Sequence, residues 1–91
     1  MAGMQGMDVE AVDDLGTKMK LRAEDITRMM NEINSLITGS RAIWMGPDAE
    51  RFRSDWESNL KNQLTNVSTA LDGAGQSAKN NASEQHDVSQ R

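Results

Sequence analysis

Residues that could carry out chemistry are few and scattered in this 91-residue chain. The only histidine is His86, and the absence of cysteine excludes disulfides and thiolate metal sites. Acid–base catalysis would need that histidine, or two carboxylates beside a reacting group. His86 lies in a segment rich in amides and serines, and the acids occupy helix starts or solvent faces, where they favour the helix dipole and solubility. We therefore predict no catalytic, metal or cofactor site, and expect that the protein is not an enzyme.

The composition also bears on partners. The formal net charge is −4 and the ten basic residues are scattered among fourteen acids, so no basic patch for nucleic acid is visible. Hydrophobic residues make up 36% of the chain, and the mean hydropathy is −0.69. A compact monomer of this size would have little apolar area to bury. We expect a second chain to share that burial.

The first half of the chain has the apolar period of a packed helix. From Val9 to Ile37 the apolar or small residues recur at gaps of three and four, which is typical of packed, gently supercoiled helices. Leu15, Met29 and Leu36 form a second partial row beside the first, so the apolar face is wide enough for several neighbouring helices. Gly16 and Ala23 lie in the first row, where we predict that they admit a bulky side chain from a neighbouring helix.

Gly46 and Pro47 divide this segment from a second apolar row. Glycine permits unusual backbone angles, and proline suits the first turn of a new helix. The second row runs from Phe52 to Ala78 at gaps of four, four, four, three, four, three and four. A short connection between two long helices makes them antiparallel neighbours.

These patterns predict an all-α fold, an antiparallel helical hairpin that dimerises into a four-helix bundle. We predict a flexible N-terminal arm over residues 1–7, the hairpin over 8–78 with its turn at 44–46, and a flexible C-terminal tail over 79–91. The predicted core of hairpin and dimer consists of Val12, Met19, Ile26, Met30, Ile33, Ile37, Phe52, Trp56, Leu60, Leu64, Val67 and Leu71.

The turn itself contains a tryptophan. On physical grounds, Trp44 can fold back against the start of the second helix and close the end of the bundle. The sequence Trp44-Met45-Gly46, midway along a chain of about a hundred residues with a helix on each side, also resembles the signature of the WXG family. These are the small proteins, similar to the early secreted antigenic target of mycobacteria, that type VII (ESX) systems export. The continuation is similar to actinobacterial members at Pro47, Asp48, Ala49, Phe52 and Trp56.

The resemblance implies a helical hairpin that forms homodimers or heterodimers, is exported folded from the cytoplasm, and is recognised by the membrane-bound export ATPase. In that family the turn motif lies near a C-terminal Y-x-x-x-[DE] signal on the partner. This chain has no tyrosine, so Trp44 and Gly46 are the signal positions that carry over. We expect a second copy, or a paired small WXG-type protein that carries the tyrosine signal, as partner.

The expected function is that of a secreted interaction, effector or escort protein that uses a leaderless route, because the first residues have neither a basic nor an apolar region. One alternative is a secreted effector that inserts into a target bilayer, but the acidic charge gives no attraction to anionic lipid, so membrane interaction is disfavoured. Another is an intracellular coiled-coil structural protein.

Overall fold

The computed structural model describes residues 6–89, and side chains among them as far as Asp87. Helix α1 spans Val9–Gly39 and continues into a 3₁₀ turn, Ser40–Ala42. A second arm consists of helix α2 (Pro47–Asp55), a π turn (Trp56–Leu60) and helix α3 (Lys61–Ser89). The described residues include no strand, and α1 packs along α3. The predicted all-α hairpin is confirmed.

The ends of the helices are set by local chemistry. Asp8 caps α1, because its side chain accepts a hydrogen bond from the backbone N–H of Ala11 at 3.0 Å. At the start of the second arm Pro47 occupies the first helical turn, where its missing N–H costs nothing, and Asp48 and Glu50 lie near the positive end of the helix dipole.

The two arms come into close backbone contact at two glycines. A Cβ atom on Gly16 would lie 2.6 Å from the carbonyl oxygen of Gly75, and a Cβ atom on Gly75 would lie 2.7 Å from that of Gly16. Real Cβ atoms essentially never come this close to another heavy atom. The prediction that Gly16 admits a bulky side chain is therefore wrong: it admits the backbone of another helix.

Small residues recur every seven positions along this contact, which we call the seam. It contains Gly16 and Ala23 on α1, and Ser68, Gly75 and Ala82 on α3. Ala23 and Ala82 are buried, and the Ser68 hydroxyl donates to the carbonyl oxygen of Ala23 at 2.9 Å. Because such residues let two helix backbones come together, the larger apolar side chains lie beside the seam, and none of those described is completely buried.

Two reciprocal ion pairs cross the seam beside the glycines. The Lys20 ammonium lies 3.2 Å from Asp72, and the Lys79 ammonium lies 3.0 Å from Asp13. Each arm therefore contributes the same pattern, D-x-x-G-x-x-x-K, centred on its glycine. We call this arrangement the clasp; it aligns the arms in one register, because sliding either helix by a turn would separate both pairs.

The π turn in the second arm contains one residue more than a regular α-helical turn. Its wider loop is closed by the Lys61 N–H, which donates to the carbonyl oxygen of Trp56 five residues earlier. Trp56 is buried, and its indole N–H donates to the side-chain oxygen of Asn34 on α1 at 3.0 Å. Trp56 therefore faces α1, and Ala49, seven positions before it, is also buried.

Helix α3 extends past residue 78, the predicted end of the hairpin, and Ala82 is buried beyond that point. Residues 1–5 of the predicted N-terminal arm, and 90 and 91 of the predicted tail, lie outside the described residues. The chain measures 66 × 16 × 14 Å, which is one pair of helices in cross-section.

Candidate functional site

The tip of the hairpin is a tight turn between α1 and α2. The backbone N–H groups of Ile43 and Trp44 donate to the carbonyl oxygen of Ser40, at 3.0 and 2.8 Å. Gly46 then has φ of 114°, and its carbonyl oxygen accepts the first hydrogen bond of α2, from the Glu50 N–H at 3.0 Å. The predicted turn at 44–46 is therefore the segment in which the chain leaves one helix and enters the next.

Gly46 is required at this turn for its backbone angle. Its φ lies in the left-handed region that residues with a side chain rarely adopt. A Cβ atom there would meet no other atom within 4 Å, so space is not the reason for glycine. The glycine of the W-x-G sequence fixes the direction in which the chain enters α2.

Trp44 lies on the surface of the tip. Its side chain is 45% exposed, and its ring contacts that of Phe52 with centroids 6.1 Å apart. The neighbouring Ile43 and Met45 are 86% and 75% exposed. Three consecutive large apolar residues are thus presented to solvent at one end of a narrow molecule, which is unusual for a surface with no partner.

Trp56 differs from Trp44 in both burial and bonding. It is 4% exposed and its indole N–H is paired with Asn34, so it holds the second arm against α1. The two tryptophans therefore have separate tasks in this structure: Trp56 packs between the arms, and Trp44 remains available at the tip.

The other predicted core residues lie along the hairpin, mostly beside the seam. Half-buried among them are Val12, Met19, Ile26, Met30, Ile37, Leu60, Leu64 and Leu71. Exposed are Ile33, Phe52 and Val67. Within the single chain these residues are incompletely covered, because the glycines and alanines occupy the line of closest contact.

The two sides of the seam differ in chemistry. Three positions after Gly16, Ala23, Ser68 and Gly75 the side chain is apolar, as at Met19 and Leu71, whereas four positions after each seam residue it is polar, as at Lys20 and Asp72. In a helix these two offsets lie on opposite sides of the contact line. The clasp and the Thr27–Ser68 hydrogen bond, 2.9 Å between hydroxyl oxygens, lie on the polar side.

The opposite side is the apolar flank. It consists of the half-buried and exposed residues Val12, Leu15, Met19, Ile26, Met29, Ile33 and Leu36 on α1, and Leu60, Leu64, Val67, Leu71 and Ala78 on the second arm. Leu36, the most exposed of the large ones, has 73% of its side chain open to solvent. One continuous apolar surface therefore runs beside the seam, whereas the other side is closed by hydrogen bonds and ion pairs.

Sequence reasoning missed two polar residues of the tip, Ser40 and Arg53. The Arg53 guanidinium donates to the Ser40 hydroxyl and to the Trp44 carbonyl oxygen, both at 3.0 Å. No periodicity distinguishes Arg53 from the nearby Arg41 and Arg51. The sequence feature that could have identified Arg53 is its spacing of seven residues from Gly46, because residues seven apart lie on the same face of a helix.

Outside the tip, side chains that could catalyse a reaction or bind a metal do not cluster in the described part of the chain. His86 is exposed and lines a shallow groove at the open end of the hairpin with Glu10 and Asp13. Over residues 6–89, no three His, Cys, Asp or Glu side chains are arranged to hold a metal ion. Among the described helices, none combines the length and the apolar character needed to cross a bilayer.

No protein-family model, curated protein or solved structure matches the chain. The candidate site is therefore defined by its geometry: a partly exposed tryptophan at a glycine-directed turn, next to an apolar flank that follows the seam.

Proposed function

We propose that the chain is a small protein exported by a type VII (ESX) secretion system as a homodimer or a heterodimer, and that it acts as an interaction or escort protein. The observation that carries the proposal is the presentation of Trp44. A large aromatic residue, followed two positions later by a glycine with a left-handed φ, lies partly exposed at the tip of a helical hairpin. This agrees with the resemblance to the WXG family, in which the turn is part of the export signal.

The apolar flank supports the dimer. A compact monomer of this mass exposes about 5,200 Å², whereas the chain exposes 6432 Å². The excess of about 1,200 Å² is larger than the roughly 800 Å² that each partner buries in a standard interface. Two hairpins that pack flank to flank would form a four-helix bundle, and the polar side of each seam would remain in water.

The partner in this proposal is a second copy, or a paired small WXG-type protein. Because none of the 91 residues is tyrosine, a second copy has no tyrosine either, and in the heterodimer the paired WXG-type protein supplies the tyrosine of the export signal. The export ATPase then reads Trp44 and Gly46 on one chain together with the signal on the other.

Association can be tested separately from export by two neighbouring substitutions. Leu36→Asp introduces a charge on the apolar flank, where burial in an interface would be costly. Ser35→Asp introduces the same charge at an exposed position that points away from both seam and flank. We expect Ser35→Asp to sediment as the wild-type dimer, and Leu36→Asp to be a helical monomer or to lose its partner. A wild-type chain that stays monomeric with every candidate partner would contradict the dimer.

The export test compares two residues of the tip. We expect Trp44→Ala to remain a folded dimer but to stay in the cell. Met45→Ala, which removes a more exposed side chain from the same turn, should be exported as wild type. The measurement is the fraction of each variant in the culture medium without lysis. Normal export of folded Trp44→Ala would show that the exporter does not use this tryptophan.

A further inference from the structure

Arg53 connects the second arm to the turn that contains Trp44. Its Nη1 donates one hydrogen bond to the carbonyl oxygen of Trp44 and another to the hydroxyl of Ser40, each at 3.0 Å. The side chain is half-buried. Hydrogen bonds to a charged donor are stronger than those between neutral groups, so these contacts restrain the turn more than neutral contacts would.

Ser40 extends the connection into α1. Its hydroxyl donates to the carbonyl oxygen of Ile37 at 2.5 Å while it accepts from Arg53. Its own carbonyl oxygen accepts the N–H groups of Ile43 and Trp44. A single network therefore runs from the last turn of α1, through Ser40 and Arg53, to the backbone of Trp44.

The nearby arginines make no such connection. Arg51 pairs with Asp48 within its own helix, and the structure gives the Arg41 side chain no hydrogen-bond or ion-pair partner. Among the described residues, Arg53 makes the only hydrogen bonds between α2 and the residues that precede Gly46. Three arginines within thirteen positions thus differ in whether they touch the turn, which provides matched controls.

Trp44 needs such a restraint. It lies outside both helices, so no helical hydrogen bond fixes the orientation of its carbonyl group, and Phe52 contacts its ring while 45% of the side chain is exposed. A side chain that is ordered before binding avoids the entropy cost of being ordered by its partner. The hydrogen bond to the Trp44 carbonyl oxygen supplies that order from the second arm.

We propose that Arg53 is a positioning residue for Trp44: its guanidinium holds residues 40–44 in the conformation that presents the indole to the export machinery. The proposal rests on the function proposed above and makes recognition depend on a residue outside the W-x-G sequence. Arg53 itself need not contact the exporter.

Fluorine NMR of the full chain labelled with 5-fluorotryptophan tests the positioning directly. The chain has two tryptophans, so two signals are expected, and Trp44→Phe assigns them. In Arg53→Met the Trp44 signal should shift and narrow toward that of a mobile, solvated indole, while the Trp56 signal stays in place. Arg53→Lys, which keeps a charged donor, should restore much of the wild-type Trp44 signal, and Arg41→Met should leave both signals unchanged.

The same variants are then compared for export. If about one residue of backbone is mobile before recognition, the cost of ordering it weakens binding to the exporter about tenfold. We therefore expect about tenfold less Arg53→Met than wild type in the medium, and partial recovery in Arg53→Lys. An unchanged Trp44 signal in Arg53→Met would overturn the positioning role. So would loss of both tryptophan signals in Arg53→Met and Arg53→Lys alike, because Arg53 would then hold the whole fold.

The two proposals fail in different ways. Export of folded Trp44→Ala at the wild-type level would refute the recognition of Trp44. Retention of Trp44→Ala together with normal export of Arg53→Met would leave that recognition intact and refute the positioning role of Arg53.

Discussion

Replacement of Gly75 by alanine should destabilise the hairpin, although alanine is the better helix former. The intrinsic preference alone would add about 1 kcal/mol to the free energy of unfolding. However, the new methyl group would lie 2.7 Å from the carbonyl oxygen of Gly16, against 3.4 Å or more in an ordinary contact. That oxygen belongs to a helix backbone, so α1 as a whole must move away from α3. Overpacking costs about 1–3 kcal/mol, and because a helix backbone must give way we expect the upper part of that range, about 2–3 kcal/mol, which leaves a net loss of about 1–2 kcal/mol.

Gly73→Ala is the matched control, since it makes the same chemical change two positions away in the same helix. A Cβ atom on Gly73 would meet nothing within 4 Å, so the free energy of unfolding of this variant should rise by about 1 kcal/mol. The two variants should therefore differ by about 2–3 kcal/mol, or roughly 10–20 °C in Tm. Circular dichroism melts at one protein concentration measure the difference. Equal stabilisation by both alanines would refute the close approach of the two arms.

The remaining predictions concern the π turn, Trp56 and the clasp. Deletion of the exposed Asn59 should convert the π turn to regular α-helix. The Tm should change by only a few degrees, which corresponds to roughly 1 kcal/mol or less in the free energy of unfolding. A loss of stability as large as that of Trp56→Ala would contradict this prediction. Trp56→Ala should cost about 3–5 kcal/mol, measured by chemical denaturation, whereas Trp56→Phe should cost much less because it removes mainly the hydrogen bond to Asn34. Lys20→Met should cost at most about 1 kcal/mol at low salt and less at high salt. Lys18→Met, whose ion pair lies within α1, serves as its control, and an equal salt dependence in both would show that the clasp adds nothing across the seam.

The arms of the hairpin could be predicted because burial follows the helical period. Apolar residues at gaps of three and four marked α1 and α3, and Gly46-Pro47 marked the turn between them. These signals are local, since each depends on neighbours within one or two turns of the same helix. The position of Trp44 at the tip followed from the same local pattern.

The π turn was missed, although the sequence contains a trace of it. Between Phe52 and Leu64 the apolar row has three successive gaps of four, whereas the apolar row of a regular packed helix alternates gaps of three and four. Such a run contains about one residue more than the regular spacing, and a helix accommodates the extra residue by local unwinding. The pattern was visible as an irregular gap, but only the partner arm, through Asn34, shows which side of the helix Trp56 must face.

The seam and the end of α3 were missed for a different reason. Hydrophobic patterns give weight to large apolar side chains, and residues 72–89 contain mainly glycine, alanine and polar residues. Gly75 and Ala82 pack because a second helix lies against them, which depends on residues some sixty positions away. The same limit applies to Arg53, whose role depends on the path of the turn.

The glycine and alanine seam has a consequence for calorimetry. The heat-capacity increment of unfolding rises with the apolar area that is newly hydrated and falls with the polar area. Contact between two backbones buries many peptide groups and few large side chains, so the isolated hairpin should have an increment below the usual 12–15 cal/mol/K per residue and a stability that varies little with temperature. Association through the apolar flank would cover Leu36 and its neighbours and raise the increment. A scanning calorimeter would thus distinguish the single hairpin from the bundle by the curvature of its stability with temperature.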